Sequence, residues 1–413
     1  MIQQRFFHSW LLLCLAMLAE SNPAQALLSL ERPQSGSLKW TSSQRLSGRG
    51  AYPALSYSST NPGDLRAFYV VAGSSSEKMV VKARLGGLPF GRETDITDSS
   101  GSINFGMGAR NVGVHYSPGA IDLALSRSSL ASILTSTDDG ASWVFQRSFS
   151  NTGDATASFL PVHFTHDPPD RSRFVYGYIR TLIVPTAFVY AAERDCPSDP
   201  GQWCAGNQIF YDDGGSSYPA IGAIQDVQER GPAITLLGGG SVLHSSDNGR
   251  TYVVVKHPGD STVDLSGADM ARGAGARLWL IRPYSYGPPP DNYHLESYVS
   301  DDSGATWNLP ALVLTGSSSA IASPRLAVNG RTIVLVWKHA DATTSYRYQS
   351  MKSLISRDDG ATWAPVATRI ALAGTLEIAA LELANHQGRF SLVYSVVNGS
   401  APAGVYLTEL FAH

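Results

Sequence analysis

The chain has 413 residues, a formal charge of −3 at neutral pH and only 16% charged residues, against roughly 25% in average globular domains. No block of Lys or Arg stands out, which argues against nucleic acid and anionic membrane as partners. Abundant Gly and Ser, with many Val, Tyr, Thr and Trp, describe a turn-rich β protein, and no helical period persists for long.

The N-terminus reads as an export signal. Arg5 supplies the positive charge, Trp10–Ala19 a short apolar run and Ala24-Gln25-Ala26 a small-x-small cleavage pattern. The expected division is a signal peptide over 1–26 and one domain over 27–413, secreted or periplasmic. The apolar run is too short to span a bilayer comfortably and no later run is long enough, so no membrane span is expected in the mature chain.

Seven short segments read as inner strands of successive β-sheets. In chain order they are Tyr52–Leu55, Val112–His115, Leu160–His163, Pro219–Gly222, Val263–Leu265, Pro324–Ala327 and Ile378–Leu381. Between the third and fourth lie Cys196 and Cys204, bracketing turn formers. Export favours a disulfide between them, and two cysteines are too few for a structural zinc site. Arg389–Val397 and Gly404–Phe411 look like the second and third strands of a last sheet, which Leu38–Arg45 would complete from the N-terminus.

One pattern recurs: Ser-x-Asp-x-Gly-x-Ser/Thr-aromatic. Good copies begin at Ser136, Ser245, Ser300 and Ser356, and a degraded copy runs from Tyr211 to Tyr218 with Asp213. The aspartates Asp138, Asp247, Asp302 and Asp358 can accept backbone N–H groups of their own turns. Gly140, Gly249, Gly304 and Gly360 supply positive φ. The closing aromatics, Trp143, Tyr252, Trp307 and Trp363 among them, turn inward and bury apolar surface. Apolar residues flank each copy, so each is a hairpin turn between two strands. Calcium-hand ligand spacing is absent, and neither a metal nor a cofactor is expected.

The pattern resembles the Asp box, or bacterial neuraminidase repeat, of the sialidase superfamily. The resemblance covers roughly Ser35 to the C-terminus. It implies an all-β fold: a single propeller of four-stranded blades with each box joining the third and fourth strands of a blade, away from the ligand site. The closing aromatics Trp143, Tyr218, Tyr252, Trp307 and Trp363 stand 75, 34, 55 and 56 residues apart. These intervals and the seven inner strands favour seven blades, with the six of family sialidases as the alternative.

The resemblance also implies chemistry: three arginines on a substrate carboxylate, a Tyr nucleophile activated by Glu, and an Asp acid/base. The first arginine is expected in a Tyr-Arg-Ile-Pro motif. Aligned on Pro53, that position is Ala51, and Arg49 precedes it by two residues. Arg325, on the sixth inner strand, is the better clamp candidate. No Tyr, Glu or Asp of the catalytic set is assignable from the sequence. His115, His163 and His339 offer a second reading, converging with Arg325 as a lyase site on acidic polysaccharide. A non-catalytic binding propeller is the third. The partner expected under all three is a glycan or polysaccharide.

Overall fold

The computed structural model describes residues 38–57, 64–72, 77–96, 111–117, 120–127, 130–150, 157–159, 163–167, 171–181, 185–196, 199–203, 207–212, 224–230, 232–238, 241–247, 249, 251–255, 265, 267–285, 293–309, 311–317, 319–340, 347–368 and 370–411. All regular structure among them is β. After β1 (Gln44–Ser47), the strands β2 (Gly50–Tyr57), β3 (Leu65–Ala72), β4 (Glu77–Arg84) and β5 (Thr94–Asp95) form a four-stranded sheet. The next holds β6 (Asn111–Ser117), β7 (Ala120–Arg127), β8 (Leu130–Ser136) and β9 (Val144–Ser150). A six-stranded sheet follows, with β10 (Ala157–Phe159), β11 (His163–Asp167), β12 (Arg171–Thr181), β13 (Pro185–Cys196), β14 (Asp199–Trp203) and β15 (Asn207–Asp212).

Four-stranded sheets then resume. One is β16 (Ile224–Arg230), β17 (Ala233–Gly238), β18 (Val242–Ser245) and β19 (Val253–Val255). Another is β20 (Asp269–Arg272), β21 (Leu278–Ser285), β22 (Tyr293–Ser300) and β23 (Ala311–Ser317). A third is β24 (Ala320–Asn329), β25 (Thr332–Ala340), β26 (Ser350–Ser356) and β27 (Ala364–Pro365). The last joins β28 (Leu376–His386), β29 (Arg389–Asn398) and β30 (Ala401–Phe411) to β1.

The protein is thus a single all-β propeller. Six of its blades are four-stranded, and one further sheet has six strands. Counting that sheet gives the expected seven; counting four-stranded blades alone gives six. The inner strands follow one another in a closed ring, β2 beside β6, then β11, β16, β20, β24, β28 and back to β2.

Ring closure comes from the N-terminus, over the later part of the expected Leu38–Arg45 segment and two residues beyond it. The paired segment is Gln44–Ser47, with Gln44 opposite Leu407 and Arg45 opposite Tyr406. Thr41 still bonds to Glu409 of β30, but Lys39 and Trp40 cross to the neighbouring blade. The Trp40 N–H donates to the Ala367 carbonyl, and its indole N–H to Ser353 Oγ at 2.9 Å, with the ring fully buried. Burial of that indole moves the strand start six residues beyond Leu38. One inner strand also differs. Of Val263–Leu265 only Leu265 is described; its carbonyl accepts the Ala268 N–H in a turn, and the strand begins at Asp269. Pro219–Gly222 lies outside the described residues, ahead of β16. The segment after Cys196 contains a strand, β14, where turns alone were expected; Cys204 and Asp213 lie outside the described residues.

The four repeat turns join the third and fourth strands of their blades. Their bonding is uniform. In the last copy, Ser356 Oγ donates to Asp358 Oδ1 at 2.8 Å and accepts the Gly360 N–H at 2.8 Å. Asp358 Oδ1 also accepts the Thr362 N–H, and Oδ2 accepts Thr362 Oγ1 at 2.6 Å. The same set recurs around Asp138, Asp247 and Asp302. The template Ser/Thr therefore closes the turn. Ser142 hydrogen bonds hold the Asp138 carboxyl at about 2.

Each turn whose neighbours are described leans on the second strand of the preceding blade. Arg66 of β3, buried, donates to the Asp139 carbonyl and pairs its carboxylate at 2.9 Å. Thr235 of β17 donates to the Ser303 carbonyl at 2.6 Å. Arg277, just ahead of β21, pairs with Asp301 of its own blade and with Asp359 of the next. Trp143 packs edge-on against Phe68 of the preceding blade, at 5.8 Å between centroids. Trp307 and Trp363 are half-buried against clusters shared between two blades. The turns are clips between blades, on the side of the ring opposite the starts of the inner strands.

Candidate functional site

The inner strands are not regular. The β2–β3 register slips between Ala51 and Ala54, and the β24–β25 register between Ala322 and Arg325. Both slips fall on one local pattern, Ala51-Tyr52-Pro53-Ala54 and Ala322-Ser323-Pro324-Arg325. The residue before each proline has positive φ, 50° at Tyr52 and 48° at Ser323. Proline has no N–H to give the ladder, so a bulge is the place that tolerates it. A bulge also re-aims the following side chain. In β2 that side chain is Ala54; in β24 it is Arg325.

Arg325 sits among three consecutive inner strands. Its Nε donates to the Leu381 carbonyl of β28 at 3.2 Å, and its Nη1 to the Pro324 carbonyl at 2.9 Å. Nη1 lies 3.9 Å from Asp269 of β20, and Nε lies 3.9 Å from Glu382 of β28. Asp269 Oδ2 accepts the Leu326 N–H at 2.6 Å. Two carboxylates from flanking blades thus share one guanidinium. With Gln228, Arg272 and Asn385 they line a cavity of about 360 Å³ within the channel. Amides stitch its wall: Gln228 Nε2 donates to the Met270 carbonyl and Asn385 Nδ2 to the Val328 carbonyl.

Electrostatics sets the carboxylates apart. Glu382 is 44% accessible to water, yet it stands inside the channel, and desolvation by the surrounding wall pushes its carboxyl up to about 7. Arg325 opposes the shift and Asp269 adds to it. Desolvation also raises Asp269, against the pull of Arg325 and the Leu326 N–H.

The other sequence candidates are less convergent. Ala51 is buried on β2, and Arg49 is exposed in the turn before it, its own N–H donating to Ser47 Oγ. His339 is half-buried on β25, a second strand, where its carbonyl accepts Ser350 Oγ. His115 and His163 fall on inner strands β6 and β11, but their side chains lie outside the described residues. Arg282 is buried on β21 and held by Glu296 at 2.6 Å. Among the described residues, no group of three or more His, Cys, Asp or Glu is placed to hold a metal ion, and no helix is long and apolar enough to cross a membrane. The cavity uses the second halves of β16, β24 and β28 and the whole of β20, whereas the sequence put the ligand at the strand starts.

Sequence reasoning missed Asp269 and Glu382. Glu382 had a signal: it stands between Leu381 and Leu383 on a strand already read as inner, where a charge must face the channel. Asp269 had none, since its strand was misplaced.

No family model matches the chain, and no curated protein matches it. Solved structures of similar fold include the polysaccharide lyase Uly1, at 10% identity and TM-score 0.53, covering 92% of this chain and 94% of that one. Another is an alpha-L-arabinanase of Penicillium chrysogenum complexed with arabinobiose, at 11% identity and TM-score 0.49, covering 90% and 98%. A third is the intramolecular trans-sialidase of Ruminococcus gnavus, at 11% identity and TM-score 0.44, covering 91% and 97%. At these identities the likeness is one of fold.

Proposed function

We propose that this protein is an exported glycan-processing propeller, its repeat turns structural Asp boxes, in which Asp269 and Glu382 work as an acid–base pair. The observation that carries this reading is the pair itself: two carboxylates from different blades, reached by one guanidinium inside the channel cavity. Glycoside hydrolysis needs one carboxyl group to protonate the leaving oxygen and a second, ionised, to activate water or attack the sugar. Glu382, raised to about 7, carries a proton in a useful fraction of molecules near neutrality. Burial raises the Asp269 carboxyl too; Arg325 and the Leu326 N–H oppose that shift and favour its charged form. Arg325 is a positioning residue, since its hydrogen bonds go to the channel wall.

The test is the release of new reducing ends from a panel of polysaccharides. Glu382→Gln and Asp269→Asn should each lower kcat by about 100-fold or more while melting normally. Full activity in both variants, or no reducing ends from any substrate, would overturn the proposal. Products carrying an unsaturated ring would point instead to elimination.

A further inference from the structure

We infer that the channel cavity accepts a neutral, hydroxyl-rich sugar and disfavours one bearing a carboxylate or sulfate. This rests on the reading of the channel as the glycan site. The sequence made Arg325 a clamp for an anionic sugar; its surroundings oppose that role. Nε and Nη1 both donate to wall carbonyls, and two carboxylates already stand 3.9 Å away. An incoming anion would have to displace these partners or lie beside Asp269 and Glu382 as a third like charge. The described cavity lining holds two carboxylates, Asp269 and Glu382, and two guanidiniums, Arg325 and Arg272. With both carboxylates ionised, as they are above the Glu382 value of about 7, their formal charges cancel and no cation is in excess. Lys338, on the next strand outward, is not part of the lining; its Nζ donates to the Ala379 carbonyl, 4.9 Å above the Tyr348 ring.

The carboxylates offer hydrogen-bond acceptors, which suit donating hydroxyls. The volume, about 360 Å³, lies in the range of small-ligand pockets.

The experiment uses the full chain and matched tetrasaccharide pairs differing at C6: gluco- and glucurono-, manno- and mannurono-, galacto- and galacturono-oligosaccharides. Affinity is measured calorimetrically at pH 8, where Glu382 is mostly ionised. The neutral member of at least one pair should bind tenfold or more tightly than its acidic partner. Glu382→Gln leaves one cation in excess, so it should strengthen acidic binding about tenfold and weaken neutral binding. Asp269→Asn, which keeps an acceptor for the Leu326 N–H, is the second variant and should act the same way. Tighter acidic binding by the wild type, abolished by Arg325→Ala, would overturn the substrate class and leave the channel site standing. Binding of either class unchanged in all three variants would place the ligand elsewhere and overturn the reading of the site. No binding by any pair would overturn the inference as well.

Discussion

Replacing Gly360 with alanine should destabilise the protein far more than the same change at Gly330. Both glycines have positive φ, 82° and 60°. An alanine in that region costs about 1–2 kcal/mol, partly offset by the about 0.4–1 kcal/mol gained from restricting the unfolded chain. That is the whole effect at Gly330, where a Cβ would meet nothing within 4 Å. At Gly360 a Cβ would stand 2.3 Å from Cη2 of Trp279 and 2.8 Å from Cζ3. The indole belongs to β21 of the preceding blade and is 5% exposed within a packed core cluster, so it has no room to turn aside. Forcing a methyl into such a contact adds about 1–3 kcal/mol. The expected losses are about 1 kcal/mol for Gly330→Ala and about 2–4 kcal/mol for Gly360→Ala. Denaturant unfolding at neutral pH measures both, and glycan affinity of the folded fraction should be unchanged. Equal losses in the two variants would refute the view that the repeat turns clip neighbouring blades together. Loss of binding with normal unfolding would give the turns a ligand role instead.

Other outcomes follow from the charged groups. Glu409 of β30 accepts both Arg84 Nη atoms of the first blade, at 2.9 and 2.7 Å, and Ser391 Oγ at 3.0 Å, across the seam where the ring closes. Glu409→Ala should cost about 3–5 kcal/mol, because it strands a buried guanidinium; a midpoint shift near zero in urea would contradict this. Burial would raise Glu409, but Arg84 and then Arg389 hold its carboxyl below the ordinary 4.5. Its contribution is therefore present above 4.5 and lost as pH falls through the lower, folded value; the wild type should lose this acid-dependent loss of stability on Glu409→Gln. Glu382 has the opposite sign. Its folded value of about 7 exceeds the ordinary 4.5, so its contribution is full below 4.5 and fades as pH rises to about 7. As a proton donor, it should also give a rate that falls above pH 7; a flat profile through that region would rule it out as the acid.

The repeat turns were legible because their chemistry is local. Ser356, Asp358, Gly360 and Thr362 satisfy one another within seven residues, so spacing alone specifies the hairpin. Closure by the N-terminus was legible too, since a last blade with three strands leaves an unpaired edge. The strand start was not, because Trp40 is drawn into a core shared between the last blade and the one before it.

The channel site belongs to the tertiary structure. Asp269, Arg325 and Glu382 are separated by more than fifty residues at each step, and none lies in a motif with the others. Only the ring brings β20, β24 and β28 side by side, and only the bulge after Ser323 carries Arg325 to two carboxylates. A lone arginine on a strand reads as a clamp for an anion. With two acids from neighbouring blades beside it, the same arginine is already engaged. Local sequence sets turns and strands, because their hydrogen bonds close over a few residues. Which charges meet in the channel depends on contacts between blades that no local pattern encodes.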